Sequence, residues 1–298
     1  MNYEGSTMID LHIHSTFSDG SDTPKKIVAQ AKRLGLTAIA LTDHDNMGGV
    51  PSFMDACREQ GIIGISGVEV SAALDEEFAD STLHILGYGL DPQNLQVKEL
   101  LGRVLDGRAW RNEQIMEKLS EIGVGLVWDE VKACAGEDVI GRPHIARAMV
   151  NRDYVSSVQE AFNRYLAKGA PAYVDRYSLY PEEAINMIKD AGGLSFVAHP
   201  FTWIDDAARL ERELRRFQEL GLSGIEVYHS DHDGEQIMAL LRTAKKLGLM
   251  ISGGSDYHGE SKPLIKLGSG RGNLNIGDHY ASELVAAFAP DNPWVYAP

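Results

Sequence analysis

Two cysteines in 298 residues, Cys57 and Cys134, are too few and too irregularly spaced for a disulfide framework or a zinc–thiolate site. No apolar run approaches the roughly 20 residues that cross a bilayer. The opening Met1-Asn2-Tyr3-Glu4-Gly5 has neither the basic region nor the apolar core of a secretory signal, so a cytoplasmic location is expected. Cations are outnumbered, with 28 Lys and Arg against 43 Asp and Glu, for a formal net charge of -15. That balance excludes a broad grip on duplex phosphates. It leaves room for a small anion, because carboxylates that hold divalent cations have their charge offset locally. There is no internal repeat and no low-complexity linker.

What the chain does have is enough apolar content, 44%, for one large barrel domain or a barrel with a small insert, and histidines in telling places. Ile9 to Ser15 reads as a first strand. Alternate side chains share a face, so His12 and His14 point one way while Leu11 and Ile13 point the other. Asp19 follows in the turn Thr16-Phe17-Ser18-Asp19-Gly20, which can fold back over the strand's carboxyl end. Two imidazoles and a carboxylate converging on one point suit a divalent metal. A single His-x-His pair would equally suit a half-buried face.

The recurrence decides between these readings. His44 follows the apolar run Ala38–Leu41, Glu69 follows Ile62–Val68, and His84 lies within Leu83–Leu86. His199 ends Leu194–Ala198, and Asp256 and His258 end Met250–Ser255. Functional residues of α/β barrels gather at the carboxyl ends of strands. Six histidines and three acids so placed point to a polynuclear metal site.

The intervening segments complete an α/β reading. Ser21-Asp22-Thr23-Pro24 starts a helix that runs to Leu34 and stops at Gly35. Helices are expected near 49–59, 181–191, 205–220, 234–247 and 282–288, and strands at 224–228 and 249–252. The β-α-β order predicts parallel strands covered by helices. From 93 to 169 strand signals fade and helical spacing takes over, so this segment reads as a helical insertion, with barrel domain at 8–92 and 170–298.

The motifs Asp10-Leu11-His12-Ile13-His14-Ser15 with Asp19-Gly20, Thr42-Asp43-His44-Asp45, Gly67-Val68-Glu69, Ala198-His199-Pro200 and Gly254-Ser255-Asp256-Tyr257-His258 resemble the PHP (polymerase and histidinol phosphatase) family of amidohydrolase-like metal hydrolases. Among its branches the chain is most similar to the stand-alone phosphoesterases acting on nucleotides. The resemblance implies a distorted (β/α)7 barrel with the helical insertion over its mouth. It also implies two to three divalent metals, with manganese favoured over iron or zinc. It assigns His12, His14, Glu69 and Asp256 to one metal, Glu69, His84 and His199 to a second, and Asp19, His44 and His258 to a third, with Glu69 bridging. His84 is the weakest member because it sits inside a strand. Asp43 and Asp45 are expected to orient imidazoles.

A water shared by two such metals becomes a hydroxide near neutral pH and attacks phosphorus in line, with Glu69 and Asp256 in the catalytic set. Arg142, His144 and Lys168 are candidates for gripping phosphate, and His229 for protonating the leaving oxygen or binding phosphate. Trp110, Tyr154, Phe162 and Tyr165 are available to stack a base, while His232 and His279 read as surface histidines. The favoured substrate is a small nucleotide, such as the 3'-phosphate of a nucleoside 3',5'-bisphosphate, extending to the 5'-ends of short RNA. Duplex nucleic acid and membranes are not expected partners. The alternatives are a cyclic-phosphodiester or histidinol-phosphate hydrolase, or a non-catalytic metal-bearing domain.

Overall fold

A computed structural model describes residues 8–73, 83–135, 140–175 and 177–298. The strands are β1 (Met8–Asp10), β2 (Leu36–Leu41), β3 (Ile63–Ala72), β4 (Leu83–Tyr88), β5 (Leu194–Val197), β6 (Gly224–His229), β7 (Met250–Gly254) and β8 (Val295–Tyr296). The helices over this sheet are α1 (Pro24–Leu34), α2 (Val50–Gln60), α7 (Pro181–Asp190), α8 (Ala207–Leu220), α9 (Gly234–Leu247) and α10 (His279–Ala286). In the segment between β4 and α7 lie α3 (Leu95–Glu121), α4 (Trp128–Ala135), α5 (Arg142–Asn151), α6 (Val158–Ala161) and a π-helical turn, Phe162–Leu166.

Local chemistry accounts for the boundaries. The Thr23 hydroxyl caps α1, Pro24 takes its first turn, and Gly35 ends it at φ 75°, a left-handed conformation open to glycine. Asp206 caps α8, and Asp233 with Gln236 forms a capping box on α9. Each helix then buries one apolar stripe, such as Ile27, Val28 and Ala31 of α1.

The sheet runs β1-β2-β3-β4-β5-β6-β7 and curls into a distorted barrel, with β8 added to β3. It closes between the ends of β1 and β7, where Leu11 N donates to Gly253 O, Asp256 N to His12 O and His14 N to Tyr257 O. β1 is therefore shorter than expected. Beyond Asp10 the chain turns from ladder pairing with β2 to bonds with the segment after β7, and His12 and His14 sit on that seam.

The expectation of parallel strands holds for β1/β2, β2/β3, β5/β6 and β6/β7, but β4 is antiparallel to both neighbours. A parallel return needs a crossover of about a dozen residues or more, and residues 73–82 are too few. The barrel buries Ile9, Leu11, Ala38, Ile65, Tyr88 and Phe196 in one core with Leu284 of α10.

The chain divides into two compact units, 1–99 with 179–298, and 100–178. The second has its own apolar core, including Ile115, Leu119, Val131, Ile145 and Met149. The longest helix is α3, 27 residues without a break from Leu95 to Glu121. Among the described residues no helix is long and apolar enough to cross a membrane.

Candidate metal centre

Glu69 lies at the middle of the site. It belongs to β3, and loop residues after β2 bond to its backbone: Glu69 N donates to Asp43 O, and Asp45 N to Glu69 O. Its carboxylate is only 1% exposed. Oε2 lies 3.3 Å from His12 Nε2, 3.1 Å from His14 Nε2 and 3.1 Å from His44 Nδ1. Oε1 lies 2.8 Å from His84 Nδ1 and 2.9 Å from His199 Nε2. His84, though inside β4, is on the face that meets this carboxylate.

Two further carboxylates complete the cluster. Asp256 Oδ1 is 3.2 Å from His14 Nε2, 3.7 Å from His12 Nε2 and 3.5 Å from His258 Nδ1. Asp19 Oδ1 is 3.1 Å from His258 Nε2 and 3.5 Å from His14 Nδ1, and its Oδ2 is 3.7 Å from His44 Nε2. Three sets offer ligand atoms that all lie within 4.8 Å of one another: His12, His14, Glu69 and Asp256; His14, Asp19, His44 and His258; and His44, Glu69 and His84. The nine residues singled out in the sequence thus converge on one region. Asp256 and His199 hold their backbones at φ 58° and 26°, where non-glycine residues are strained, a cost typical of functional sites.

The donor set fits divalent cations. His12 Nε2 and His14 Nε2 face each other at 3.1 Å. His44 Nδ1, Glu69 Oε2 and His258 Nε2 are buried without a hydrogen-bond partner. Buried polar atoms left this way are costly unless something charged lies among them. Burial alone would raise the carboxylate pKa values, but the imidazoles outweigh it and hold Asp19, Glu69 and Asp256 well below the ordinary range. Burial drives His44 down to about 3, leaving a neutral ring free to coordinate.

A surrounding layer orients these ligands. Glu226, in mid-β6 and fully buried, lies with Oε1 3.0 Å from His12 Nδ1 while Oε2 accepts from His199 N at 2.7 Å. Sequence reading passed over it, although a lone carboxylate between Ile225 and Val227 is the available signal. Asp10 accepts from Ser255 N and Oγ, from Gly268 N and from His12 N, tying the two ligand-bearing loops together. Asp43 reaches His14 only through Ser18, whose Oγ donates to Asp43 and lies 3.4 Å from His14 Nδ1. Asp45 accepts from Ser71 N and Oγ.

The candidate substrate contacts fall in different places. His229 is buried beside the cluster, with Nε2 3.7 Å from Asp256 Oδ2. Its Nδ1 accepts from Asp231 N, so the neutral ring carries its proton on Nε2, facing the site. In the helical unit Arg142 opens α5, donates to Leu166 O at 3.3 Å, and has its guanidinium 5.9 Å and 5.8 Å from the Phe162 and Tyr173 ring centres. His144 Nδ1 accepts from Gly141 N and so helps cap α5, and Lys168 is exposed. Trp110 is exposed, whereas Tyr154, Phe162 and Tyr165 pack against the core of their unit. His232 is a correction: it is 4% exposed rather than on the surface, because the turn after β6 folds its ring back to Val227 O and against His229. His279 is exposed.

A barrel whose strand ends bring imidazoles and carboxylates together around one shared glutamate has the architecture of a metal-dependent hydrolase. The chain belongs to the PHP domain family, whose model matches residues 10–168. It is 34% identical to the 3',5'-nucleoside bisphosphate phosphatase of Chromobacterium violaceum, over 84% of this chain and 87% of the relative. It is also 34% identical to a 5'-3' exoribonuclease of Haemophilus influenzae, over 84% and 89%. A candidate metal-dependent phosphoesterase from Bifidobacterium adolescentis has the same fold, with a TM-score of 0.79 and 31% identity, covering 96% of this chain and 98% of that one.

Proposed function

We propose that this protein is a metal-dependent phosphoesterase acting on a small nucleotide, with the 3'-phosphate of a nucleoside 3',5'-bisphosphate as favoured substrate and the 5'-ends of short RNA as an extension. The observation that carries the reading is one buried carboxylate, Glu69, within 3.3 Å of ring nitrogens from five histidines. Two to three divalent cations, manganese favoured, are held in this reading by His12, His14, Asp19, His44, Glu69, His84, His199, Asp256 and His258. Bound there, they supply Lewis acidity toward the phosphoryl group and lower the pKa of an attacking water.

The chain's own residues do the rest. Glu69 and Asp256 fix the spacing of the centre, and Glu226 and Asp10 hold its histidines and loops in place. His229, with its N–H on Nε2 toward the site, is placed to donate a hydrogen bond to a phosphoryl or leaving oxygen. Within the helical unit, Arg142, whose planar fork suits a phosphate, is the candidate anion contact of this reading, with His144 and Lys168 beside it in the same proposal. Partial desolvation of Arg142 strengthens any anion contact it makes, and burial lowers its pKa.

Turnover tests this directly. With manganese added, nucleoside 3',5'-bisphosphates should be hydrolysed faster than cyclic phosphodiesters or histidinol phosphate, and heavy-oxygen water should place its label in the released phosphate. Label in the alcohol would mean carbon–oxygen cleavage and overturn the mechanism. Preference for a cyclic diester would overturn the substrate assignment.

A further inference from the structure

One cation at the centre has no role so far. Lys262 follows the short 3-10 turn Gly259–Ser261, just beyond the Asp256-Tyr257-His258 motif. Its Nζ lies 2.7 Å from Asp256 Oδ2. Among the described residues, every other ion pair given for Asp19, Glu69 and Asp256 is with an imidazole. We propose that Lys262 is the side chain that binds the phosphoryl group undergoing transfer, a role that rests on the phosphoesterase reading above.

The geometry separates this from an incidental surface pair. Asp256 turns Oδ1 toward His12, His14 and His258 and Oδ2 toward Lys262 at 2.7 Å, with His229 Nε2 at 3.7 Å from the same oxygen, so the ammonium engages the oxygen that His12 and His14 do not. His12, His14 and Glu69 are sealed from solvent, whereas Asp19, His44, His84 and Asp256 are partly exposed, so substrate approaches from that side. Lys262 lies beside it. The turn that carries it is firmly held: Glu260 N donates to Ser21 Oγ at 2.7 Å, Ser21 N to His258 O at 3.0 Å and Ile265 N to Lys262 O at 2.9 Å.

An ammonium has three donors, and one bond to Asp256 leaves two for phosphoryl oxygens. Once cations offset the carboxylates, the incoming phosphate becomes the ammonium's strongest partner. The contact is electrostatic and involves no covalent step.

The test compares wild type with Lys262→Ala and Lys262→Arg, each loaded with manganese. Three quantities are measured: metal per chain by elemental analysis, binding of inorganic phosphate by calorimetry, and kcat/KM on a nucleotide phosphomonoester. Lys262→Ala should keep its metal, bind phosphate at least about tenfold more weakly and lose roughly 10²-fold in kcat/KM, with Lys262→Arg recovering part of both. Unchanged phosphate binding in Lys262→Ala would overturn the proposal. So would metal loss in proportion to activity, which would mean that Lys262 only holds Asp256 for the cations. If wild type hydrolysed no phosphoester while Lys262→Ala still weakened phosphate binding, the phosphoesterase reading would fail and the anion-binding role would stand.

Discussion

Glu69 and Glu226 are buried glutamates separated by one layer of imidazole, and their jobs differ. Glu69 faces ring nitrogens from five histidines, whereas Glu226 fixes the far nitrogen of His12 and the backbone of His199. A carboxylate shared between cations contributes to more than one of them. Replacing Glu69 with Gln preserves its shape and removes the charge. Elemental analysis of Glu69→Gln should therefore show more than one equivalent of metal lost relative to wild type. Loss of one equivalent or less would mean that Glu69 does not bridge.

At the scale of elements, the site depends on how the ends of β1 and β7 meet. Gly254, at the end of β7, allows this contact: a Cβ there would lie 2.3 Å from His12 N and 2.8 Å from Asp10 Oδ1. Neither atom can move without shifting the His12–His14 seam. Gly254→Ala should thus cost about 1–3 kcal/mol, as overpacking does, and lower metal content at the same time. Denaturant titration with metal analysis measures both, and a variant normal in both would show that the barrel closes more loosely than these distances require. Legibility also varies at this scale. The His12–His14 pair was readable from its two-residue spacing, although both fall just beyond β1, and Gly35, Gly61 and Gly248 mark helix ends at left-handed φ. The direction of β4 was not, because β-α-β order suggested parallel pairing and the outcome turned on connection length.

For the whole molecule, the cluster couples folding, protons and cations. Without metal, burial pulls the His14 pKa down, but the neighbouring carboxylates of Asp256, Glu69 and Asp19 outweigh it and raise it from 6.5 to about 9. A raised imidazole pKa stabilises the fold fully below its unfolded value of 6.5, and this stabilisation is lost as pH rises through about 9, at most about 3 kcal/mol. The depressed carboxylates act in the opposite sense, stabilising above their unfolded values and losing that contribution in acid. Coordination requires the neutral ring, so cation binding competes with the His14 proton and strengthens as pH rises. The gap in Tm between manganese-loaded and chelator-treated protein should widen from pH 6 to pH 8.5. A constant or shrinking gap would mean that the His14 proton does not compete with the metal.

The sequence by itself determined which residues could meet at one end of the barrel. Apolar runs of strand length end in histidines and acids, and the period of two assigns those near a strand end to a face. That is local information, carried within a few residues. The tertiary structure decided who touches whom. Glu226 reaches His12 across 214 positions and Ser255 reaches Asp10 across 245, contacts set by strand register and barrel closure. Loop folding over a few residues buries the His232 ring against Val227 O and sets the ammonium of Lys262 on Asp256, six positions before it. A charged or polar residue in a loop reads the same in sequence whether it faces water or a cluster, because its partners are assembled only when distant strands come into register.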